Sequence, residues 1–287
     1  MRHDGFLVTP GRKVRLSRYR PRSSGGLRSK KAAKVLLDKR ATQLGELQNM
    51  LYAQRQHGVL VIVQAMDAAG KDSATRNVFA RVDPHGLSVV SFKRPSEEDL
   101  LHDFLRRHTL HLPQRGHMTV FNRSWYEEML AVRVHPEYLA RQNLPRAAMR
   151  DIWKGRFRDV NAYEEYLARN GIVVIKFFLN VSRDEQRERF LERMTRKDKN
   201  YKFAAGDLKE RALWKQYMRA YEKMLAATST THAPWHVIPA DRKWHTRAIM
   251  ADIIVARLKE LRLSYPSLDP AQLRELRAQR KVLERRK

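Results

Sequence analysis

The sequence predicts an α/β protein with a five-stranded, mainly parallel sheet covered by helices on both faces. Five short apolar runs support this prediction, because runs of this length between turn signals are typical of buried strands. Helical stretches separate the runs, and strands that alternate with helices form right-handed crossovers and hence a parallel sheet. The first run begins at Gly58, and the others span residues 87–92, 118–121, 172–179 and 235–238.

The first 56 residues precede the sheet. Residues 1–29 combine prolines and glycines with many arginines, which predicts a basic, irregular arm that lies largely at the surface and on which the fold does not depend. From Lys30 to about Gln56, apolar residues recur at helical spacing and predict an amphipathic helix that covers one face of the sheet. These residues are Val35, Leu36, Leu44, Leu47, Leu51 and Tyr52.

The first strand leads directly into the small-residue turn AMDAAGKD at residues 65–72, the pattern of a phosphate-binding loop that opens a helix. Small residues let backbone N–H groups close around a phosphate, the helix directs its positive end there, and Lys71 adds a full charge. The match to the Walker A pattern G-x-x-x-x-G-K-[ST] is imperfect, because Ala65 replaces the first glycine and Asp72 follows the lysine. An ordinary strand-to-helix corner is therefore the alternative interpretation.

A second polar segment follows the strand that ends at Phe121. Ligands of parallel sheets gather at the carboxyl ends of the strands, where Asp67 and Lys71 are also expected. We therefore expect Asn122 and Arg123 to reach the same edge.

The segment 193–221 begins with dense basic charge and then becomes helical. Asp207 and Glu210 have capping-box spacing, which predicts that the helix begins near Leu208. In phosphotransfer enzymes such a segment can close over bound phosphates and exclude water. A solvated surface loop is the alternative.

Composition limits the class of partner. The 287 residues suit one large α/β domain with appendages. The formal charge of +27 predicts a polyanionic partner, which could be nucleic acid, anionic lipid or polyphosphate. The chain has no cysteine, which excludes disulfides, thiolate metal sites and a cysteine nucleophile. No run approaches the roughly 18 apolar residues of a membrane span, so we expect a soluble cytoplasmic protein.

Several separated blocks together resemble the polyphosphate kinase 2 family over residues 31–263. They are MDAAGKD, VDPHGLSVVSFKRPSEEDLLHDFLRR, FNRSWYEE followed by VRVHPE, KNYKFAAGDLKER, and APWHVIPADRKW. The resemblance implies a three-layer α/β/α P-loop kinase fold with a helical lid. It divides the chain into the arm 1–29, a kinase domain 30–265 with its lid at 193–221, and a basic C-terminal helical extension 266–287.

The resemblance also implies a reaction. Kinases of this family use Mg²⁺ to transfer phosphoryl groups reversibly between inorganic polyphosphate and nucleotides, here AMP to ADP and ADP to ATP. The form FNRS-x-YE is similar to the subgroup that accepts both nucleoside mono- and diphosphates, and GMP and GDP are further candidate acceptors. A homodimer or homotetramer is implied, with no membrane partner and with nucleic acid not expected as a physiological ligand.

Residue roles follow from the same resemblance. Many relatives carry Asp where this chain has Asn122, and Glu127, or less favourably Glu128, would supply the missing charge. The implied catalytic residues are Asp67, Lys71, Asn122, Arg123 and Glu127, and the implied metal ligands are Asp67, Asn122 and Glu127. The implied phosphate-binding residues are Ala68, Ala69, Gly70, Lys71, Asp72, Ser73, Lys93, Arg123, Arg133, Lys199 and Lys202.

Two other classes of protein remain open at this point. One is an ATP-dependent P-loop kinase of a small molecule, and the other is a non-catalytic protein that binds nucleic acid or another polyanion. The extension contains apolar residues at Leu273, Leu276 and Val282, which predicts either a partner contact or a loosely packed, solvated helix.

Overall fold

The computed structural model describes residues 3–204 and 206–284, apart from the side chain of Lys202. Within them lies one five-stranded sheet in the order β2-β3-β1-β4-β5, and every neighbouring pair is parallel. The predicted α/β class is confirmed, and each predicted strand occurs within two residues of its expected bounds. The strands are β1 (Gly58–Gln64), β2 (Leu87–Ser91), β3 (Met118–Asn122), β4 (Ile172–Asn180) and β5 (Trp235–Pro239).

Helices flank this sheet, and none in the described part of the chain is long and apolar enough to cross a membrane. They are α1 (Lys30–Gln54), α2 (Lys71–Val78), α3 (Glu97–Leu100), α4 (Arg106–Thr109), α5 (Ala131–Val134), α6 (Pro136–Ala140), α7 (Arg146–Met149), α8 (Ile152–Arg169), α9 (Arg183–Thr195), α10 (Gly206–Ala212), α11 (Trp214–Thr228), α12 (Lys243–Glu260) and α13 (Pro270–Glu284). Short 3-10 turns occur at Leu16–Arg18, Pro84–Gly86, Trp125–Met129 and Asn200–Lys202.

The core lies on both sides of the central strands. All seven residues of β1 are buried. Helices α1, α2 and α12 pack together as one layer, while α8 packs on β4 and against α11 as the other. Helix α1 begins after the Ser29 side chain accepts a hydrogen bond from the Ala32 amide, and it ends where Arg55 adopts a left-handed conformation. The predicted first helix is therefore confirmed to within two residues.

The N-terminal arm departs from its predicted position at the surface. Phe6, Val8, Val14 and Leu16 are buried in the core. The arm runs antiparallel to β5, where the Val8 amide donates to the Trp235 carbonyl at 2.9 Å. Because β5 is the edge of the sheet, the arm satisfies backbone groups that would otherwise be unpaired. The prediction that the fold does not depend on this segment is wrong.

The basic segment before α10 also differs in detail. Helix α10 begins at Gly206, not near Leu208, and Asp207 lies inside its first turn. The Asp207 carboxylate accepts from the Ala204 amide, so Asp207 is not the N-cap residue that its spacing predicts. In the extension, helix α13 exposes Leu273, Leu276 and Val282 to solvent. Residues 285–287 of the extension lie outside the described part of the chain.

Candidate functional site

The ends of β1 and β3 bring the predicted site residues together. Val63 of β1 is in register with Asn122 of β3, and the Arg123 amide donates to the Val63 carbonyl at 3.1 Å. Arg123 has a φ of 66°, a left-handed conformation that is uncommon for residues with a side chain and that often marks functional sites. From this position Arg123 Nη2 donates to Asp67 Oδ1 at 2.8 Å.

The loop between β1 and α2 has the backbone that a phosphate cradle requires. Ala68 and Gly70 have positive φ values of 60° and 102°, and Lys71 begins α2 immediately afterwards. Lys71 Nζ donates to the Ala65 carbonyl at 3.0 Å, so the ammonium group lies against the end of β1. Burial and the nearby Arg123 lower the pKa of Lys71, while Asp67 and Glu127 oppose that change. An ammonium group in this setting gains from any anion that the loop binds.

Two residues of α9 hold this loop from behind, and the sequence reasoning missed both. Arg189 Nη1 donates to the carbonyls of Ala68 and Ala69 at 2.9 and 2.7 Å. Gln186 Nε2 donates to the Asp67 carbonyl at 2.9 Å. Because α9 takes up three consecutive carbonyl groups, the loop is fixed through its acceptor side, and these contacts do not compete for its amide groups. One of those amides, that of Ala69, donates to the Met66 carbonyl at 3.3 Å.

Gln186 and Arg189 are both buried. The sequence alone does not reveal this burial, because they appear there as two polar side chains on a charged helix. Their spacing of three places them on one helix face. That spacing is the one signal that could have drawn attention to them. Since glutamine and arginine are most often exposed, this spacing does not show whether the two side chains are buried against the loop or lie on a solvated helix face.

A cleft opens beside Asp67 and Arg123. Its walls come from the ends of β1 and β3, from the segment after β2, from α5 and α6, and from α10 and α11. Gly206 and Asp207, at the start of α10, are among the residues that line it. Its lining includes Asp67, Lys93, Arg94, Pro95, Leu100, Arg123, Glu127, Glu128, Tyr138, Gly206, Asp207, Glu210, Tyr217 and Tyr221.

The charges of the cleft act on one another. Burial raises the pKa of Asp67, but Lys71 and Arg123 outweigh it and hold the pKa below its ordinary value. Glu127 contributes most to raising the pKa of Arg123, followed in the same direction by Asp67. Burial and the proximity of Asp67 raise the pKa of Asp207 on α10. The cleft therefore alternates cationic and anionic groups over a short distance.

Asn122 and Asp67 supply oxygen atoms suited to a divalent cation. The Nδ2 of Asn122 donates to the Asp72 carboxylate, and its Oδ1 is buried without a hydrogen-bond partner. An orphaned buried oxygen next to a carboxylate fits a metal ion or its bound water. Among the described residues, no three His, Asp or Glu side chains are close enough together to hold a metal. Magnesium often binds through few protein oxygens and completes its shell with water and phosphate, so the residues present fit it.

Some predicted site residues lie elsewhere. The guanidinium of Arg133 lies 5.2 Å from the Trp153 ring centroid and does not line the cleft. Lys199 pairs with Glu192 of α9. Glu128 lines the cleft but forms an ion pair of 2.8 Å with Arg156, which makes it a poor substitute for Glu127.

Other predicted positions are placed as follows. Lys93 lines the cleft. The Ser73 hydroxyl accepts from Arg247 of α12 at 2.6 Å, so it is already engaged by the helix that packs on α2. The side chain of Lys202 lies outside the described part of the structure.

Comparisons with known proteins agree with this geometry. The family model described as Polyphosphate kinase 2 (PPK2) matches residues 27–264. An ADP-polyphosphate phosphotransferase of Rhodopseudomonas palustris is 44% identical over 280 residues, 97% of this chain and 97% of that protein. An AMP/ADP-polyphosphate phosphotransferase of Meiothermus ruber is 40% identical, over 93% of this chain and 96% of the relative. The crystal structure of Polyphosphate Kinase 2 from Arthrobacter aurescens TC1 superimposes with a TM-score of 0.86 at 35% identity and covers 96% of each chain.

Proposed function

This chain belongs to the polyphosphate kinase 2 family, and we propose on that premise that it transfers phosphoryl groups reversibly from inorganic polyphosphate to AMP and ADP. The observation that carries the proposal is the meeting of a phosphate loop, Asp67 and Arg123 at one edge of the sheet. The similarity to one relative named for ADP and another named for AMP and ADP supports both acceptors.

The residues of the site would divide the work of phosphoryl transfer. This reaction needs little covalent help from protein, so positioning and neutralisation of charge supply most of the acceleration. Lys71 and the loop amides would bind phosphate oxygens, and the planar fork of Arg123 would hold two oxygens at once. A magnesium ion, held by Asp67, Asn122 and Glu127 directly or through water, would supply positive charge to the transferred group when bound.

The cleft would take the acceptor nucleotide. It pairs a charged end at Asp67 and Arg123 with apolar and aromatic side chains at Pro95, Leu100 and Tyr138. A nucleotide has the same polarity, with phosphate at one end and a flat base at the other. A second hollow, lined by three cations and two carboxylates, would accept part of the phosphate chain at its cationic side; its lining is Arg22, Glu185, Asp241, Arg242, Lys243 and Trp244.

Further aspects of the proposal rest on the family and on the substrates. GMP and GDP would be used as acceptors where the cleft tolerates a second purine. The protein would work as a homo-oligomer, in the cytoplasm where AMP and ADP are found. Light scattering on the purified protein tests the oligomeric state directly.

Direct assays of product formation test the function. The protein is incubated with Mg²⁺, long-chain polyphosphate and either AMP or ADP, and the products are separated by chromatography. Formation of ADP and ATP is expected, and it should fall by a factor on the order of 100 or more in Lys71→Ala and in Asp67→Ala. Arg76→Ala, an exposed residue of the same helix α2, is the matched control and should retain activity.

The same assays separate the alternatives. Phosphorylation of a small molecule by ATP without polyphosphate would favour the ATP-dependent kinase. Tight, salt-sensitive binding of nucleic acid without nucleotide turnover would favour the binding protein. Equal activity in wild type, Lys71→Ala and Asp67→Ala would refute the proposed site.

A further inference from the structure

The buried side-chain amide of Gln186 joins α10, which lines the cleft, to the phosphate loop. Gln186 of α9 is 1% exposed. Its Nε2 donates to the backbone carbonyl of Asp67 at 2.9 Å, and its Oε1 accepts from Nη1 of Arg211 at 2.9 Å. Arg211 belongs to α10, the helix whose Gly206 and Asp207 line the cleft.

The chain of contacts reaches the reacting end of the cleft. The Asp67 carbonyl that Gln186 holds belongs to the same residue whose carboxylate meets Arg123. The guanidinium of Arg211 also donates to the Arg183 carbonyl at 2.7 Å, at the first residue of α9. Arg211 thus joins α10 to α9 through two hydrogen bonds, one of which continues through Gln186 to the loop. The Arg193–Asp207 ion pair at 3.5 Å is a further link between the two helices.

We propose that Gln186 is a positioning residue that makes the seating of α10 over the cleft and the alignment of Asp67 one event. The proposal rests on the phosphotransferase function above and adds a regulation of that site. When α10 is seated, Arg211 satisfies the oxygen of the Gln186 amide and the amide is fixed in the orientation that holds Asp67.

The physical basis is the loss of a hydrogen bond from a charged donor. If α10 lifts, Oε1 of Gln186 exchanges the Arg211 guanidinium for water, so the amide is no longer fixed from that side. The amide then reorients toward other partners and releases the Asp67 carbonyl. The loop therefore reaches its working geometry only when the cleft is covered and water is excluded from it.

The consequence is a protection against hydrolysis. In the side reaction, a water oxygen attacks the terminal phosphorus of the chain, the bond to the bridging oxygen breaks, and orthophosphate and a shortened chain leave, with the proton going to solvent. If seating and alignment are linked, this reaction is suppressed in the wild type, because an open cleft has a misaligned Asp67. Uncoupling them should raise the share of phosphoryl groups that reach water.

The test measures orthophosphate released per ADP formed, together with kcat and KM for AMP. Arg211→Met and Gln186→Met should each raise the ratio of orthophosphate to ADP by about threefold or more and lower kcat, with KM for AMP changed less. Because both substitutions break one chain of contacts, the double variant should be no worse than Gln186→Met alone. Lys215→Met, an exposed residue of α11 that removes the same charge, is the control and should match the wild type.

Gln186→Glu separates the hydrogen bond with Arg211 from the hydrogen bond with the Asp67 carbonyl. A carboxylate keeps the acceptor for Arg211 but loses the donor to the Asp67 carbonyl. This variant should therefore keep a ratio of orthophosphate to ADP near that of the wild type and lose kcat. Thermal unfolding of every variant shows which ones are folded, and Arg211 is only partly buried, so its variant remains informative if Gln186→Met is unstable.

The outcomes distinguish the inference from the function. A wild type without transfer activity would overturn the proposed function. Two results in an active wild type would overturn the role of Gln186 and leave the proposed function intact. One is an unchanged ratio of orthophosphate to ADP in Arg211→Met. The other is a double variant in which the effects of Arg211→Met and Gln186→Met multiply. Unchanged kcat in Gln186→Glu would have the same consequence.

Discussion

Replacing Lys176 with methionine should destabilise the protein strongly, because this lysine lies in the middle of β4 and is completely buried. Its ammonium group has three hydrogen-bond acceptors. They are the Tyr126 hydroxyl at 2.9 Å, Glu164 Oε2 at 2.5 Å and the Thr228 carbonyl at 2.7 Å. Tyr126 belongs to the turn that carries Glu127, and Thr228 ends α11, so the network joins two walls of the cleft.

The magnitude follows from what the substitution leaves behind. Glu164 is 0% exposed, so Lys176→Met leaves a buried carboxylate without its cation, and the α11 carbonyl loses a positive charge at the helix C-terminus. Removing one partner of a buried ion pair costs about 3–5 kcal/mol. In domains of about 150–250 residues, somewhat shorter than this chain, each kcal/mol lowers the midpoint of thermal unfolding by about 2–4 °C. The midpoint should therefore fall by roughly 6–20 °C.

A paired substitution isolates the cause. Lys176→Met combined with Glu164→Leu removes both charges and fills the space with apolar atoms, and such replacements are often neutral or stabilising. We expect the double variant to regain most of the lost unfolding free energy, measured by denaturant titration followed by circular dichroism. The exposed Lys223→Met of α11 is the control for the loss of charge. A single variant that loses less than about 1 kcal/mol, or a double variant as unstable as the single, would refute this reasoning.

Three further predictions concern metal, pH and salt. Asn122→Asp places a second carboxylate beside Asp72, so the half-saturating Mg²⁺ concentration in the transfer assay should fall; an unchanged value would argue against a metal at this position. Burial raises the pKa of Asp252, but hydrogen bonds from His3 and Arg40 outweigh it and hold the pKa in the folded protein below 3.8. The ionised carboxylate therefore stabilises the fold above about pH 4. This stabilisation is lost as the pH falls through the pKa of the folded protein. The unfolding free energy of Asp252→Asn should therefore be lower than that of the wild type at pH 7, and the difference should shrink as the pH falls below about 4. A difference independent of pH would contradict the assignment. Finally, with about four phosphate contacts, the KM for polyphosphate should rise about 50-fold between 50 and 200 mM salt, and a flat profile would show that ionic contacts do not dominate binding.

The site could be predicted from sequence where a strand fixes the geometry. In a parallel sheet all strands end at one edge, so residues that directly follow strands must approach one another. This rule alone brings Asp67 and Arg123 together, and the structure confirms their contact at 2.8 Å. The turn at Ala68 to Gly70 was predictable in part, since Gly70 adopts its positive φ without steric cost. The φ of 60° at Ala68 is disfavoured by its Cβ, and the small-residue pattern does not predict it.

The positions that the sequence did not predict depend on tertiary contacts. The arm looked irregular because its arginines and glycines form no periodic pattern, yet Phe6 and Val8 are buried against β5. The guanidinium of Arg133, a predicted phosphate-binding residue, lies 5.2 Å from the ring centroid of Trp153, a neighbour that no local pattern indicates. Gln186 and Arg189 are indistinguishable in sequence from the exposed polar residues around them. In each case the decisive partner lies far along the chain, beyond the reach of local pattern.

The charge of +27 does not mean that the site holds unpaired cations. Arg123 pairs with Asp67 at 2.8 Å, Arg193 pairs with Asp207 at 3.5 Å, and Lys71 donates to a backbone carbonyl. Internal pairing of this kind avoids the cost of burying a lone charge. If the proposed function holds, a phosphate bound by Arg123 through Nη2 would compete with the Asp67 carboxylate for that donor, and a divalent cation on Asp67 would compete with Arg123 for the carboxylate. Phosphate and metal binding would then be linked through one ion pair, and the linkage would be reciprocal, since each ligand would favour the state in which Asp67 and Arg123 are apart.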